Sequence, residues 1–406
     1  MKFHYTARDR EGNLVSGDTE AESREALAKQ LQTDGLLLTS AEAQGGSSVS
    51  LQKIVTKLKT IGTIPLEEKI FFTQNLHVML HSGISLSVAI KTLAKQTKNL
   101  RFKNVLNDIE QSVEQGTSFA QSLAKHQKIF GELFVNMIEA GETSGQLENT
   151  LIQLHTQMKK DHNLISKVRG AMIYPAVVIV AMVGVMIVVV TFVIPKITDL
   201  FTEARADLPL PTKILIVTSD FLINYGVWVI IFLILLAFGF FKFIKTERGK
   251  KIWHKILVKG PIVGPIIKKI NLARFSRTLS SLIKTDIPIV KSFTITSKTV
   301  GNYYYKNITL TAAEQLKKGS SITTTLATDE DLFPPLITQM ISVGEESGSL
   351  DDILENLAIF YEEDVTDTMA NFSSIIEPVL ILILGLGVGA IAVSVIMPLY
   401  SLTQNI

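Results

Sequence analysis

The chain has 406 residues, 47% of them hydrophobic and 19% charged, a balance that excludes disordered and fibrous classes and points to a membrane protein with sizeable water-exposed parts. It has no cysteine, which removes disulfides, thiol nucleophiles and thiolate metal sites. Forty Lys and Arg against 38 Asp and Glu nearly cancel, so there is no global basic field for nucleic acid and any electrostatic signal is local.

Residues 1–43 read as a small cytoplasmic β-β-α-β module. Phe3, Tyr5 and Ala7 alternate as in a strand, Asp9 to Asn13 is turn-like, Ala21 to Gln32 suits a helix and Gly35-Leu-Leu-Leu-Thr suits a closing strand. Glu11, Asp18, Glu20 and Glu22 stand where a signal peptide would have a basic start and an apolar run, so the N-terminus is expected to stay untranslocated. Residues 44–64, opening with Gln-Gly-Gly-Ser-Ser, have linker composition. From 65 to 171, Phe102, Val105, Leu106, Ile109 and Val113 share one helical face, as do Leu147, Leu151, Leu154 and Met158. Ser82-Gly83, Gly116-Thr117, Gly131 and the stretch Gly141 to Gly145 punctuate this region. The pattern predicts a first cytoplasmic bundle of short antiparallel helices whose last helix runs toward a membrane.

Residues 172–194 are uncharged and long enough for a hydrocarbon core about 30 Å thick, and they read as the first transmembrane helix. An extracytoplasmic loop is expected at 195–221, where Lys196, Arg205 and Lys213 face Asp199, Glu203, Asp207 and Asp220. The second span is 222–241, with Trp228 and Lys242 as interfacial anchors. A basic connector follows at 242–269. Its juxtamembrane residues Lys242, Lys245, Arg248, Lys250 and Lys251 meet Glu247 alone, which marks a cytoplasmic side facing anionic lipid in preference to RNA. A second cytoplasmic bundle occupies 270–374, punctuated at Asp286 to Pro288, Gly319-Ser320, Pro334-Pro335 and Gly344 to Gly348. Residues 375–399 form the third span, with Gly385, Gly387 and Gly389 suited to close helix contact, and 400–406 form an extracytoplasmic tail. The topology is N-terminus in, C-terminus out.

The two bundles are copies of one unit. GETSGQL at Gly141 to Leu147 recurs as GEESGSL at Gly344 to Leu350, and the same shift of 203 carries Phe72 to Phe275, Leu76 to Leu279, Gly116 to Gly319, Phe130 to Phe333, Pro175 to Pro378 and Pro195 to Pro398. A unit that ends on an outward span needs one extra helix to return the chain before the second copy, which explains the middle span. The expected fold is a mainly α integral membrane protein: two tandem repeats of a cytoplasmic helical bundle plus transmembrane helix, three transmembrane helices, and the small N-terminal module.

Nothing in the chain fits a phosphate-binding loop, a zinc protease helix, a hydrolase nucleophile elbow or a calcium loop. His77 and His81 lie one turn apart but have no evident third ligand, which favours surface or packing over a metal site. Gly141, Glu142, Ser144 and Gly145, with Gly344, Glu345, Ser347 and Gly348, head loops between helices. A tight helix-helix turn explains their glycines, with Ser349 and Asp352 as a helix start, and contact with a partner or a cation is the competing reading. Tyr174, Pro175, Glu377 and Pro378 are candidate membrane-interface residues. Glu377 is an ionisable group at a span, but it lies at the end where a helix dipole and nearby water favour a carboxylate.

The N-terminal segment FHYTARDREGNLVSGDTEAESREALAKQLQTDGLLL, the duplicated GE-x-SG-x-L motif, the span-starting Pro175 and Pro378 and the three-span topology resemble the type II secretion F protein and type IV pilus inner-membrane platform family over essentially the whole chain. The resemblance implies a non-enzymatic bacterial inner-membrane scaffold with no cofactor. It also implies partners: a hexameric assembly ATPase, pilin or pseudopilin subunits, other inner-membrane assembly proteins, the lipid bilayer and further copies of the chain. Leu332 to Leu350, Phe360 to Val365 and Ile376 to Val379 look closer to the pilus branch than to the secretion branch. Two departures stand out: FTQNL at Phe72 to Leu76 lacks the arginine kept in FSRTL at Phe275 to Leu279, and Asp286 replaces the glycine of the first turn. The alternatives of another class are a membrane-anchored adaptor and a transporter, the latter needing polar or broken helices at mid-membrane.

Overall fold

The structure, a computed structural model, describes residues 2–8, 14–21, 23–44, 63–196, 198 and 210–404. The turn expected at Asp9 to Asn13, the linker from Gly45 to Gly62, residues 197 and 199–209 of the expected 195–221 loop and the last two residues of the expected tail lie outside the described residues, while 210–221 of that loop are already helical. The chain divides into two units, Met1–Ile64 with Lys98–Asn104, and Pro65–Thr97 with Val105–Ile406.

In the first unit, strand β1 (Lys2–Arg8) pairs antiparallel with β2 (Leu14–Glu20) on one side and β3 (Leu37–Gln44) on the other. Helix α1 (Arg24–Thr33) starts where Ser23 Oγ accepts the Ala26 N–H at 3.2 Å, an N-cap that satisfies one of the free donors of the first turn. Its Leu27 and Leu31 form a small core with Tyr5, Leu36 and Leu38. Gln44, expected in the linker, is the last residue of β3.

Helices α2 (Leu66–His81), α3 (Leu86–Gln96), α4 (Leu100–Glu114), α5 (Phe119–Ala124), α6 (Gln127–Phe130), α7 (Glu132–Thr143) and α8 (Leu147–Val188) make up the first repeat. Val105, Leu106, Ile109, Leu151 and Leu154 are buried, as their spacing predicts. After α9 (Leu210–Lys245) and α10 (Glu247–Lys259), the second repeat runs through α11 (Val263–Ile283), α12 (Ile289–Thr299), α13 (Tyr303–Leu316), α14 (Ile322–Leu326), α15 (Pro335–Ser347) and α16 (Leu350–Gln404). Shifted by 203 residues, α3 coincides with α12 end for end, and α4, α5, α7 and α8 begin where α13, α14, α15 and α16 begin. The core of the second repeat gathers Phe275, Phe293, Tyr305 and Phe333, with Phe275 against Phe333 edge to face at 5.1 Å. The Tyr305 hydroxyl donates to the Leu332 carbonyl at 2.8 Å, and burial raises its pKa.

The bundles and the apolar stretches are not separate elements. Helix α8 runs 42 residues through Pro175 into the apolar stretch expected at 172–194 and passes into one π-helical turn at Val189–Val193. Helix α16 runs 55 residues and continues to Gln404, into the segment expected as a tail. Proline removes one helical N–H donor yet both helices continue, as happens where an apolar environment penalises any alternative to helix. The basic connector expected at 242–269 is helical as well. It holds α10, whose N-cap Thr246 accepts the Gly249 N–H at 3.1 Å, and α11 already begins at Val263. Among the described residues three helices, α8, α9 and α16, are long and apolar enough to cross a membrane.

Asp286 adopts a φ of +56° where the first repeat has Gly83 at +79°. A side chain in this left-handed region is strained. Asp286→Gly is therefore expected to raise stability by about 0.5–1 kcal/mol, and Gly83→Ala to lower it by about the same amount. Both are read as shifts in the thermal midpoint of helical circular dichroism in detergent.

Candidate functional site

The repeated GE-x-SG-x-L motif ends α7 and α15, and each of its residues has an internal task. Gly141 faces α8 so closely that a Cβ there would lie 2.2 Å from Thr150 Oγ1; a Cβ on Gly344 would lie 3.1 Å from the Leu350 Cα. Glu142 belongs to the last turn of α7, not to a loop, and its carboxylate accepts the N–H groups of Phe119 at 2.7 Å and Ala120 at 2.9 Å. Glu345 does the same from α15, accepting from Ile322 N at 2.8 Å, Thr323 N at 3.2 Å and Thr323 Oγ1 at 2.8 Å. Each glutamate thus holds the N-terminus of a preceding short helix, α5 or α14, where free donors and the helix dipole favour an anion. Ser144 reaches back to Gly141 O at 3.5 Å, and Ser347 donates to Val343 O at 2.7 Å. Gly145 and Gly348 take φ of +70° and +72° and end the helices. Ser349 Oγ pairs with Ser347 Oγ at 2.7 Å, and α16 begins at Leu350, directly after Ser349 and with Asp352 in its first turn.

The other expected residues disperse. Tyr174 is exposed and Pro175 buried on α8, while Glu377 and Pro378 are both exposed on α16. Farther along these helices Met182, Val183, Met186, Leu384, Gly387 and Ile391 line an apolar groove between α8 and α16. Lys242, Lys245 and Arg248 are exposed. Lys251 stands 5.9 Å from the Tyr303 ring, and the Tyr303 N–H donates to His254 Nδ1 at 2.8 Å, so α10 is fixed to the second bundle. His77 and His81 both meet Glu148, through its carbonyl at 3.1 Å and its carboxylate respectively. Among the described residues no group of three or more potential ligands gathers to hold a metal ion.

A constellation that sequence reasoning missed joins the repeats. Gln157 of α8 donates to Thr278 Oγ1 at 3.2 Å and accepts from Ser281 Oγ at 3.1 Å, both on α11. Arg274 donates to Asp161 at 2.6 Å, Lys291 meets Glu139 at 2.9 Å and Lys298 meets Glu132 at 2.6 Å. Leu164 of α8 enters the core of the second repeat. At the centre Arg277 donates from Nε to Glu362 at 2.8 Å and lies 3.5 Å from Glu355, while Lys160 of the first repeat approaches the same Glu362 at 3.5 Å. The hydrogen bond from Lys284 holds the Glu355 carboxyl below the usual carboxylate range. The one signal in the sequence was the contrast between FTQNL and FSRTL: the repeats differ where one of them is covered by the other.

The family model described as type II secretion system protein F matches residues 72–195 and again 275–398, and the model of that protein's N-terminal domain matches 1–42. A protein of Thermus thermophilus named type IV pilus assembly protein PilC is 34% identical over 98% of this chain and 98% of its own length. One of the same name from Myxococcus xanthus is 32% identical over 100% of the chain and 96% of its own. The type II secretion system protein F of Aeromonas hydrophila is 28% identical over 96% and 99%.

Proposed function

This chain belongs to the type II secretion system protein F family, and on that premise we propose that it is the inner-membrane platform of a type IV pilus assembly machine. It would couple a hexameric cytoplasmic ATPase to the insertion or removal of pilin subunits. The observation that carries the pilus branch is the identity gradient: full-length relatives at 34% and 32% are named for pilus assembly, against 28% for one named for secretion. A platform for type II secretion, acting on pseudopilins, is the second reading, favoured by the description of the matching family itself.

The role needs no active site. It needs stiff connections between the water-exposed bundles and the bilayer, and α8 and α16 supply them. At 1.5 Å per residue they are about 60 and 80 Å long, two to three times the thickness of a hydrocarbon core. A force applied to a bundle therefore reaches the membrane along one continuous helix. The excess of Lys and Arg after α9 supports the orientation with N-terminus and both bundles in the cytoplasm and C-terminus outside. Glu377 and Pro378, near the start of the apolar part of α16, are then at the cytoplasmic face, and the apolar groove that a membrane-embedded subunit would meet lies farther along the helix, from Ile383 to Ile391.

Deleting the gene and recording surface filaments by electron microscopy together with protein secretion tests the reading. Lost filaments with intact secretion are expected. Lost secretion with intact filaments would move the protein to the secretion branch, and loss of neither would leave a membrane-anchored adaptor.

A further inference from the structure

The joint between the repeats is one-sided. Helices α7 and α8 of the first repeat meet α11 and α12 of the second, through Glu139–Lys291, Gln157–Ser281 and Asp161–Arg274. The shift of 203 converts α7 and α8 into α15 and α16, and α11 and α12 into α2 and α3. The chain therefore carries the two halves of the same joint a second time. On these second halves Val78 of α2 is 53% exposed and Phe360 of α16 is 49% exposed, and Ile84, Val88 and Val343 are also open to solvent. Large apolar side chains exposed on the faces that correspond to a buried joint are the mark of a surface that something covers.

The residues at corresponding positions are matched to one another. In the internal joint Gln157 bonds to Thr278 and Ser281; at the equivalent positions Phe360 would face Asn75 and Val78, so the polar pair with Ser281 becomes an apolar pair of Phe360 with Val78, while the Asn75 amide donates within its own helix to the Phe71 carbonyl. Lys160 faces Glu362; the equivalents are Glu363 and Lys159, in which both partners change sign and the attraction is kept. Ala140 and Ile287 line an open groove in the joint; their equivalents Val343 and Ile84 offer more apolar bulk to the same place. The ion pairs are replaced: Glu139 and Lys291 correspond to Ser342 and Val88, and the Asp161–Arg274 pair to Asp364 and Phe71. Asp364 is engaged within its own repeat, by Lys269 at 2.7 Å.

We propose that a second copy of this chain covers these faces, with α15 and α16 of one copy seated on α2 and α3 of the next in the manner of the internal joint. The proposal rests on the repeat and not on the filament reading, and it gives a contact surface to the self-association that the family resemblance implies. A joint between unlike faces propagates as a ring or an open chain, in contrast to a two-fold dimer whose faces are alike. This difference makes the test decisive.

The native chain has no cysteine, so introduced thiols are the only ones present. Val78→Cys and Phe360→Cys are placed in two separately tagged full-length chains, and membranes are treated with a short thiol-specific bifunctional cross-linker. Cross-linked dimers are expected when the two variants are co-expressed and at background when either is expressed alone. Gln157→Cys with Ser281→Cys in one chain reports, by intrachain cross-linking, that the fold and the reagent are intact. Lys159→Glu on the Val78→Cys chain is expected to lower the dimer yield several-fold, and Glu363→Lys on the other chain to restore it. Dimers from either variant alone, or none from the mixture while the intrachain control reacts, would overturn the proposal. Neither result bears on the filament phenotype, so the two readings fail separately.

Discussion

Gly141→Ala is expected to lower the stability of the first bundle by about 2–3 kcal/mol, the range for forcing atoms into a packed contact. The added Cβ would lie 2.2 Å from Thr150 Oγ1, 2.7 Å from its Cβ and 3.2 Å from its Cγ2. Thr150 cannot swing away: it is buried, β-branched and tied to Gln146 O at 3.0 Å. The helices α7 and α8 would have to separate, and the Glu142 carboxylate would be drawn off the N-terminus of α5. Glu142→Ala alone is expected to cost about 1–2 kcal/mol, the value of a helix cap. Gly344→Ala should be milder, since its nearest contact is 3.1 Å. Thermal midpoints in detergent, followed by helical circular dichroism, give the order Gly141→Ala, Glu142→Ala, wild type. Thr150→Ala in the Gly141→Ala background should recover part of the loss by removing two of the three clashing atoms. Unchanged midpoints with weakened co-purification of an assembly ATPase would instead return the motif to the role of a partner contact.

The repeat, the helical character of the bundles and the apolar stretches were legible because each is written in pattern: a constant shift, a 3.6-residue period, a run without charge. The cooperation of Glu142 with Phe119, or of Glu345 with Ile322, was not, since the partners are 23 residues apart and the sequence shows only a conserved-looking turn between its own copies. The motif reads as a tight turn between helices, with contact to a partner or a cation as the competing reading, whereas the backbone of α7 places the glutamate inside the helix. The boundary between bundle and apolar stretch was illegible for a different reason. Pro175 reads as the start of a span, but the helix that carries it begins at Leu147 and continues through it, and the run of charge that ends at Arg169 marks a change of surroundings and not of conformation. The joint between the repeats was least legible, because Gln157, Arg274 and Arg277 read as ordinary polar faces of amphipathic helices until two such faces are brought together.

Arg277→Ala is expected to cost about 3–4 kcal/mol, because it removes the partner of carboxylates that are themselves poorly solvated. The arginine side chain is 9% exposed and that of Glu362 is 15% exposed. Without the guanidinium, the one charge-paired partner of Glu362 left among the described residues is Lys160 at 3.5 Å, a contact made from the other repeat across a partly exposed gap. Arg277→Gln, which copies Gln74 of the first repeat, should lose nearly as much, since there the counterparts of Glu355 and Glu362 are Ile152 and Lys159 and no anion has to be matched. Combining Arg277→Ala with Glu362→Gln should lose less than the sum of the two, with a coupling of about 1–3 kcal/mol, as befits groups in direct contact. Additive losses would mean that the pair stabilises nothing beyond its separate members. The wider consequence follows from Glu362 serving two masters, Arg277 in its own bundle and Lys160 in the neighbour. Without Arg277, Glu362 is no longer held where Lys160 meets it, so the damage should appear at the joint as a lower yield of the Gln157–Ser281 cross-link before either bundle unfolds. A machine that moves the two bundles as one body depends on that joint, and filament assembly should fail in the Arg277→Ala strain while the protein is still inserted at ordinary levels.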